Sequence, residues 1–253
     1  MSHPAEDLQR QHTPAVLANQ VQPAHRWGQP CRAYNVCIRP SPTAAAALSA
    51  LQARVLQLEP ALLQVPEQAL HANLAWLLPV HQEFGHPKDE LWQRHGLQWL
   101  ATLANAAATT SSFRLTFRHL AATSSAIIAI ADEPNAFSAL RRELVPLLRL
   151  PGSTSVGNLA HVTLFRYPTP LRDPASLLQW AAATTFCLDI DVSELLVIKE
   201  RVYPTLDYEI LHRLPLAPAI PAEQPATKSR STIQRGSASD RRVPWFSPHG
   251  ADG

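Results

Sequence analysis

The chain has 253 residues, of which 46% are apolar and 17% charged, with a net charge of +2. That is enough apolar material for one large domain or two intimate lobes. It is too little positive charge for electrostatic capture of long nucleic acid, although a local patch still suits a small anion. Three cysteines, Cys31, Cys37 and Cys187, form no C-x-x-C pair, so neither a disulfide framework nor a zinc ribbon fits. Cys37 and Cys187 lie in apolar, strand-like runs and read as small core hydrophobes. A reducing, cytoplasmic setting is expected. No apolar run is long enough to span a bilayer, and the N-terminus lacks the apolar core of a secretory signal.

Residues 1–30 are rich in Gln, His, Pro and Ala. They show no clean period and read as a loosely ordered arm, with Trp27 tacking its end onto the domain. Ala33 to Arg39 alternates as a strand. Ser41-Pro42-Thr43 offers a helix start, and Leu48, Leu51, Val55 and Leu58 follow helical spacing up to Pro60. A turn-prone stretch leads to Leu-His-Ala-Asn-Leu-Ala-Trp, Leu70 to Trp76. A polar loop over His81 to Asp89 precedes a second helix, expected from about Glu90 to Ala108. Phe113 to Leu120 alternates apolar and polar residues and pairs with Ala126 to Ala131 as a hairpin. Pro134 suits the first turn of a helix whose buried stripe is Phe137, Leu140 and Leu144.

After Pro151-Gly152-Ser153 the chain reaches Ala-His-Val-Thr-Leu-Phe-Arg, Ala160 to Arg166. Asp173-Pro174 then marks a further helix, with Asp173 as N-cap. Strands are expected over Phe186 to Asp191, Glu194 to Glu200 and Tyr208 to Leu214. From about Ala217 the composition turns to Pro, Ser, Thr, Lys and Arg, which reads as a disordered basic tail over 217–253. A solvated extension is the plain reading of that tail, and a weak tether to RNA or a partner is the alternative.

The two histidine stretches organise the chain. In a strand, alternate residues share a face, so His71 and Asn73 point one way and His161 and Thr163 do the same in their own strand. Each histidine strand closes a strand–helix–strand unit of similar length, and each is followed by a helix and another strand. Such a repeat predicts two lobes with a cleft between them and the histidines face to face across it. One histidine in a strand is ordinarily structural; two in matched positions suggest an acid/base pair.

The motifs Leu70-His71-Ala72-Asn73-Leu74 and Ala160-His161-Val162-Thr163-Leu164 resemble those of the two-histidine (2H) phosphoesterase superfamily. That group contains the 2′-5′ RNA ligase-like and cyclic nucleotide phosphodiesterase proteins, marked by paired His-x-Ser/Thr motifs. Phe165-Arg166 extends the second match, and Val65-Pro66-Glu67 is similar to the family's approach to its first motif. The resemblance covers about Ala33 to Leu216. It implies an α+β, LigT-like fold of duplicated β-α-β units, with antiparallel sheets around a central cleft in a two-lobed domain over 31–216.

It also implies hydrolysis of a 2′,3′-cyclic or 2′-5′ phosphodiester of RNA or a nucleotide. His71 and His161 would be the catalytic acid and base, and Asn73 and Thr163 would bind the substrate. No cofactor and no metal is called for. The expected partner is a nucleotide or RNA end, with no membrane, and the chain is expected to be monomeric. RNA 2′-5′ ligation at the same site is the near alternative. A catalytically silent RNA- or nucleotide-binding module is the distant one, because Asn73 stands where the family has Ser or Thr.

Other candidates are less specific. His81, Glu83, His86 and His95 form a loose cluster whose spacing matches no firm zinc pattern. Trp76, Trp92, Trp99 and Trp180 read as core or interface. Arg39, Arg114, Arg118 and Arg166 are candidates to line a phosphate site.

Overall fold

A computed structural model describes residues 4–148, 150 and 159–219. Among the described residues it contains helices α1 (Pro4–Leu17), α2 (Pro42–Leu58), α3 (Lys88–Thr109), α4 (Asn135–Leu148) and α5 (Pro174–Ala183). The strands are β1 (Pro30–Ile38), β2 (Leu63–Gln64), β3 (Ala72–Leu78), β4 (Phe113–Ala122), β5 (Ala126–Asp132), β6 (His161–Arg166), β7 (Leu188–Val192), β8 (Glu194–Val202) and β9 (Asp207–Pro215). A 3-10 turn over Glu67–Ala69 precedes the first histidine.

Local chemistry explains most of these boundaries. Ser41 caps α2 by accepting from Ala44 N, with Pro42 at the first helical position, and Asp173 with Pro174 does the same for α5. These side chains satisfy amides that have no partner inside the helix. The α2 stripe of Leu48, Leu51 and Val55 is buried, and β4 buries Leu115 and Phe117 while Arg114 and Arg118 pair with acids outside.

All strand pairs are antiparallel, in the order β7-β4-β5-β6-β3-β1-β8-β9, with β2 added beside β6. Each half of this curled sheet has four main strands: β7, β4, β5 and β6 in one, β3, β1, β8 and β9 in the other. Within the sheet the halves join at β3 and β6, where Ala72 pairs with Val162. The repeat expected from the sequence is visible as β1-α2-β3 and β5-α4-β6. The helices cross the seam: α2 packs against β6 and β7, and α4 packs against β3. Each half therefore covers part of the other.

The main core lies on the helix side of the sheet. Val36, Ala72, Leu74, Ile127, Ala129, Val162, Leu164 and Val197 are its strand residues. The opposite face carries two smaller apolar clusters. One is Cys37, Leu196 and Ile198; the other is Ala121, Ala126, Ile128 and Ile130, covered by Ala5 and Leu8 of α1. Between them lies the cleft.

Two expectations are corrected. Residues 4–17 form a helix rather than a loose arm, because the second cluster offers Ala5 and Leu8 a surface to bury against. Cys187 is exposed, since it precedes the edge strand β7, while Cys37 is buried as expected. The tail from residue 220 lies outside the described residues.

Candidate active site

Antiparallel pairing at Ala72 and Val162 sets the site. On either side of that pair, the register carries His71 beside Thr163 and Asn73 beside His161. The two motifs thus interlock crosswise on neighbouring strands. The sequence suggests histidines facing each other from separate lobes; they lie instead side by side on one sheet face, because β3 and β6 pair directly. Diagonal neighbours of this kind stand roughly 7–8 Å apart, somewhat less between Cβ atoms, a spacing on the scale of one tetrahedral phosphate.

Both imidazoles are held in the same way. His71 donates from Nδ1 to Ala69 O at 2.8 Å, and His161 donates from Nδ1 to Leu159 O at 3.2 Å. Each acceptor is the carbonyl two residues upstream. Holding the proton on Nδ1 leaves Nε2 as the free lone pair. Asn73 Nδ2 donates to His71 Nε2 at 3.2 Å, and Asn73 Oδ1 is buried without a hydrogen-bond partner among the described residues.

The surroundings are apolar. Asn73 pairs across the strand with Cys37, which pairs in turn with Leu196, while Ile130 lies opposite His161 and Ile128 opposite Thr163. Burial therefore disfavours the charged imidazolium. The pKa of His71 falls to about 4, first through this desolvation and then through the positive field of His161, Arg39 and Arg166. That of His161 is lowered too, by burial first and then by Arg166 and Arg141. Both rings are neutral bases in the free protein near pH 7.

The cavity above them measures about 500 Å³, within the range of small-molecule sites. His71, Asn73, His161 and Thr163 all line it, together with Trp76, Arg166 and residues of the 79–83 loop. Trp76, expected in the core or at an interface, faces the cleft instead. Arg166 belongs to the site: its Nη1 donates to Ser125 O at 3.2 Å, its guanidinium lies 5.9 Å from the Tyr203 ring centre, and its Nε is buried without a partner among the described residues. The other candidate arginines are engaged elsewhere. Arg114 and Arg118 pair with Asp191 and Asp132, and Arg39 bonds Tyr208 Oη and Gln68 O. Among the described residues, no group of three or more His, Cys, Asp or Glu is placed to hold a metal.

Several site residues carry no motif in the sequence and were missed there. Asn35 and Glu200 are buried in the cleft wall, and Asn35 Nδ2 donates to Glu200 Oε2 at 3.4 Å. Glu200 also accepts from Thr205 N at 2.6 Å, which holds the 203–205 turn where Thr205 has a φ of 58°. A β-branched residue in that left-handed region is strained, so this bond fixes a turn that lines the cleft. Burial pushes the Glu200 carboxyl up, against the lowering effect of its hydrogen bonds. A signal did exist: by alternation Asn35 shares a strand face with Cys37, and Glu200 shares one with Leu196 and Ile198, so each is a polar residue on an apolar face. Arg141 is a further support. It pairs with Glu133 at 2.7 Å and donates to Asn73 O at 3.4 Å, tying α4 to the first motif.

No protein-family model and no curated protein sequence matches the chain. Its fold does match solved structures. TT0787 of Thermus thermophilus superposes with a TM-score of 0.56 at 21% identity, over 74% of this chain and 98% of that one. A protein solved as a phosphoesterase gives a TM-score of 0.52 at 17% identity, covering 74% of this chain and 99% of its own. E. coli LigT complexed with 3′-AMP gives 0.51 at 18% identity, covering 75% and 99%. The chain has the LigT-like fold, as its two histidine motifs imply.

Proposed function

We propose that this LigT-fold chain is a phosphodiesterase that hydrolyses a 2′,3′-cyclic or 2′-5′ phosphodiester of a nucleotide or RNA end. The observation that carries the reading is the crosswise pairing of His71-x-Asn73 with His161-x-Thr163 at the base of one cavity. The LigT structure that holds 3′-AMP supports a nucleotide with its phosphate on the ribose as the kind of ligand.

Hydrolysis of such an ester needs two proton transfers. His71, whose Nε2 lone pair already accepts from Asn73 Nδ2, takes a proton from water on that nitrogen as the water oxygen bonds to phosphorus. His161, protonated when the anionic phosphate enters, gives a proton from Nε2 to the departing ribose oxygen. The P–O bond to that oxygen breaks, and a phosphomonoester and a ribose hydroxyl result. Thr163 Oγ1 and Asn73 Nδ2 donate to the non-bridging oxygens, and Arg166 adds positive charge beside them. The two imidazoles supply both transfers, so no metal-bound hydroxide is needed. Purified protein in excess chelator should convert 2′,3′-cyclic AMP to a monoester carrying one solvent oxygen, read by phosphorus NMR in oxygen-18 water. Binding without conversion of this ester or a 2′-5′ dinucleotide would contradict the reading.

One observation favours a binding module instead. Asn73 Nδ2 engages the same His71 lone pair that the base would use. The phosphodiesterase reading requires this amide to swing onto the phosphate when substrate binds.

A further inference from the structure

The cleft does not end at the histidines. A second cavity of about 800 Å³ adjoins the first, and Trp76, His161, Thr163 and Arg166 line both. Much of its remaining wall comes from the N-terminal segment: Leu8 and His12 of α1, then residues 22–26.

That segment is fastened to both halves of the sheet. On the β4-β5-β6 side, Gln9 Oε1 accepts from Ala122 N at 3.0 Å, Gln22 N donates to Ser124 O at 2.7 Å, and Ala24 N donates to Tyr167 O at 2.7 Å. On the other side, Arg26 Nη1 donates to Val80 O at 3.4 Å and Gly28 N donates to Tyr203 O at 2.8 Å. It is therefore a built wall across the seam.

The chemistry of the two chambers differs. Glu83 and Glu200 line the first. Among the described residues lining the second there is no carboxylate, while Arg26, Arg166, His12 and His25 are present. Leu8, Ile128 and Trp76 add apolar and aromatic surface of the kind on which a base packs, and Gln22 and Ser125 offer groups for its edge. The Nε of Arg166, buried and without a partner among the described residues, lies at the junction.

We propose that the N-terminal segment builds a second nucleotide subsite. The substrate then carries a nucleotide unit on either side of the attacked phosphate, one per chamber, with Arg26 binding the further phosphate. This rests on the phosphodiesterase reading for the identity of the first chamber. A mononucleoside cyclic phosphate fills only half of the cleft.

Titration calorimetry on the full chain compares 3′-AMP with the dinucleotide ApA bearing a 3′-phosphate, with turnover of 2′,3′-cyclic AMP measured alongside. The dinucleotide should bind about tenfold more tightly, equivalent to ~1.4 kcal/mol. Arg26→Ala, an exposed truncation, and Ala24→Trp, which fills the chamber, should each bring the ratio of the two affinities toward one. Equal affinities in the unmodified chain, or a ratio unchanged in both variants, would overturn the subsite. A dinucleotide preference without any turnover would uphold the subsite and overturn the phosphodiesterase reading. Turnover without the preference would do the reverse.

Discussion

His71 and Asn73 show how a residue's surroundings set its chemistry. His71 ordinarily titrates at 6.5 but is held at about 4 by burial. In the unfolded chain it takes up a proton below pH 6.5, while in the folded chain it does not until about pH 4. Stability is therefore full above pH 6.5, is lost as the pH falls between those values, and levels off below. His71 alone accounts for a loss of about 3 kcal/mol across that window. His161 shifts in the same direction and adds to the loss. Urea unfolding at about pH 7 and about pH 4.5 should show it, with a shallower fall in His71→Asn; pH-independent stability would contradict it. Asn73 carries a different cost, a buried Oδ1 with no partner among the described residues. Asn73→Thr removes that orphan and places a β-branched residue in the strand, so it should raise stability by about 1 kcal/mol. A loss of similar size would mean that the amide oxygen has an unseen partner.

At the scale of elements, the seam between β3 and β6 depends on help from helices. Gln52 of α2 is buried and donates from Nε2 to Val65 O and Leu164 O, both at 2.8 Å, while its Oε1 accepts from Gln64 Nε2 at 3.1 Å. It stitches α2 to the strand that bears His161. Gln52→Leu keeps the volume but strips these partners, and should cost about 2 kcal/mol in chemical denaturation; a change too small to measure would show that the stitch contributes nothing. Most elements were legible from local chemistry. The caps at Ser41 and Asp173, the stripes of α2 and α4, and the alternation of β4 are all sequence signals. Helix α1 was not, because Pro14 falls inside it and its apolar residues, Ala5, Leu8, Ala15, Val16 and Leu17, make no continuous stripe. Its place is set by Ile128 and Ile130, more than a hundred residues away.

For the whole molecule, the repeat of β-α-β units was visible in the order of elements, and so were the four motif residues. Their adjacency was not, since no local signal says that the strand beginning at Ala72 pairs with the one beginning at His161. The crosswise register follows from that pairing alone, and with it the placement of Asn35, Glu200 and Trp76 in the cleft. Among the described residues no helix is long and apolar enough to cross a membrane. The curled sheet, braced by helices that cross its seam, presents one polar row between two apolar clusters, and that row lines the cleft.

In the proposed reaction His71 and His161 act as one acid/base unit. A double-mutant cycle on the turnover of 2′,3′-cyclic AMP tests it most directly, with melting curves confirming that each variant folds. His71→Ala and His161→Ala should each lower kcat by about 10²–10⁴-fold, and the double variant should fall little further, because residues that act together are not additive. Full activity in either single variant, or losses that simply multiply in the double, would contradict the account.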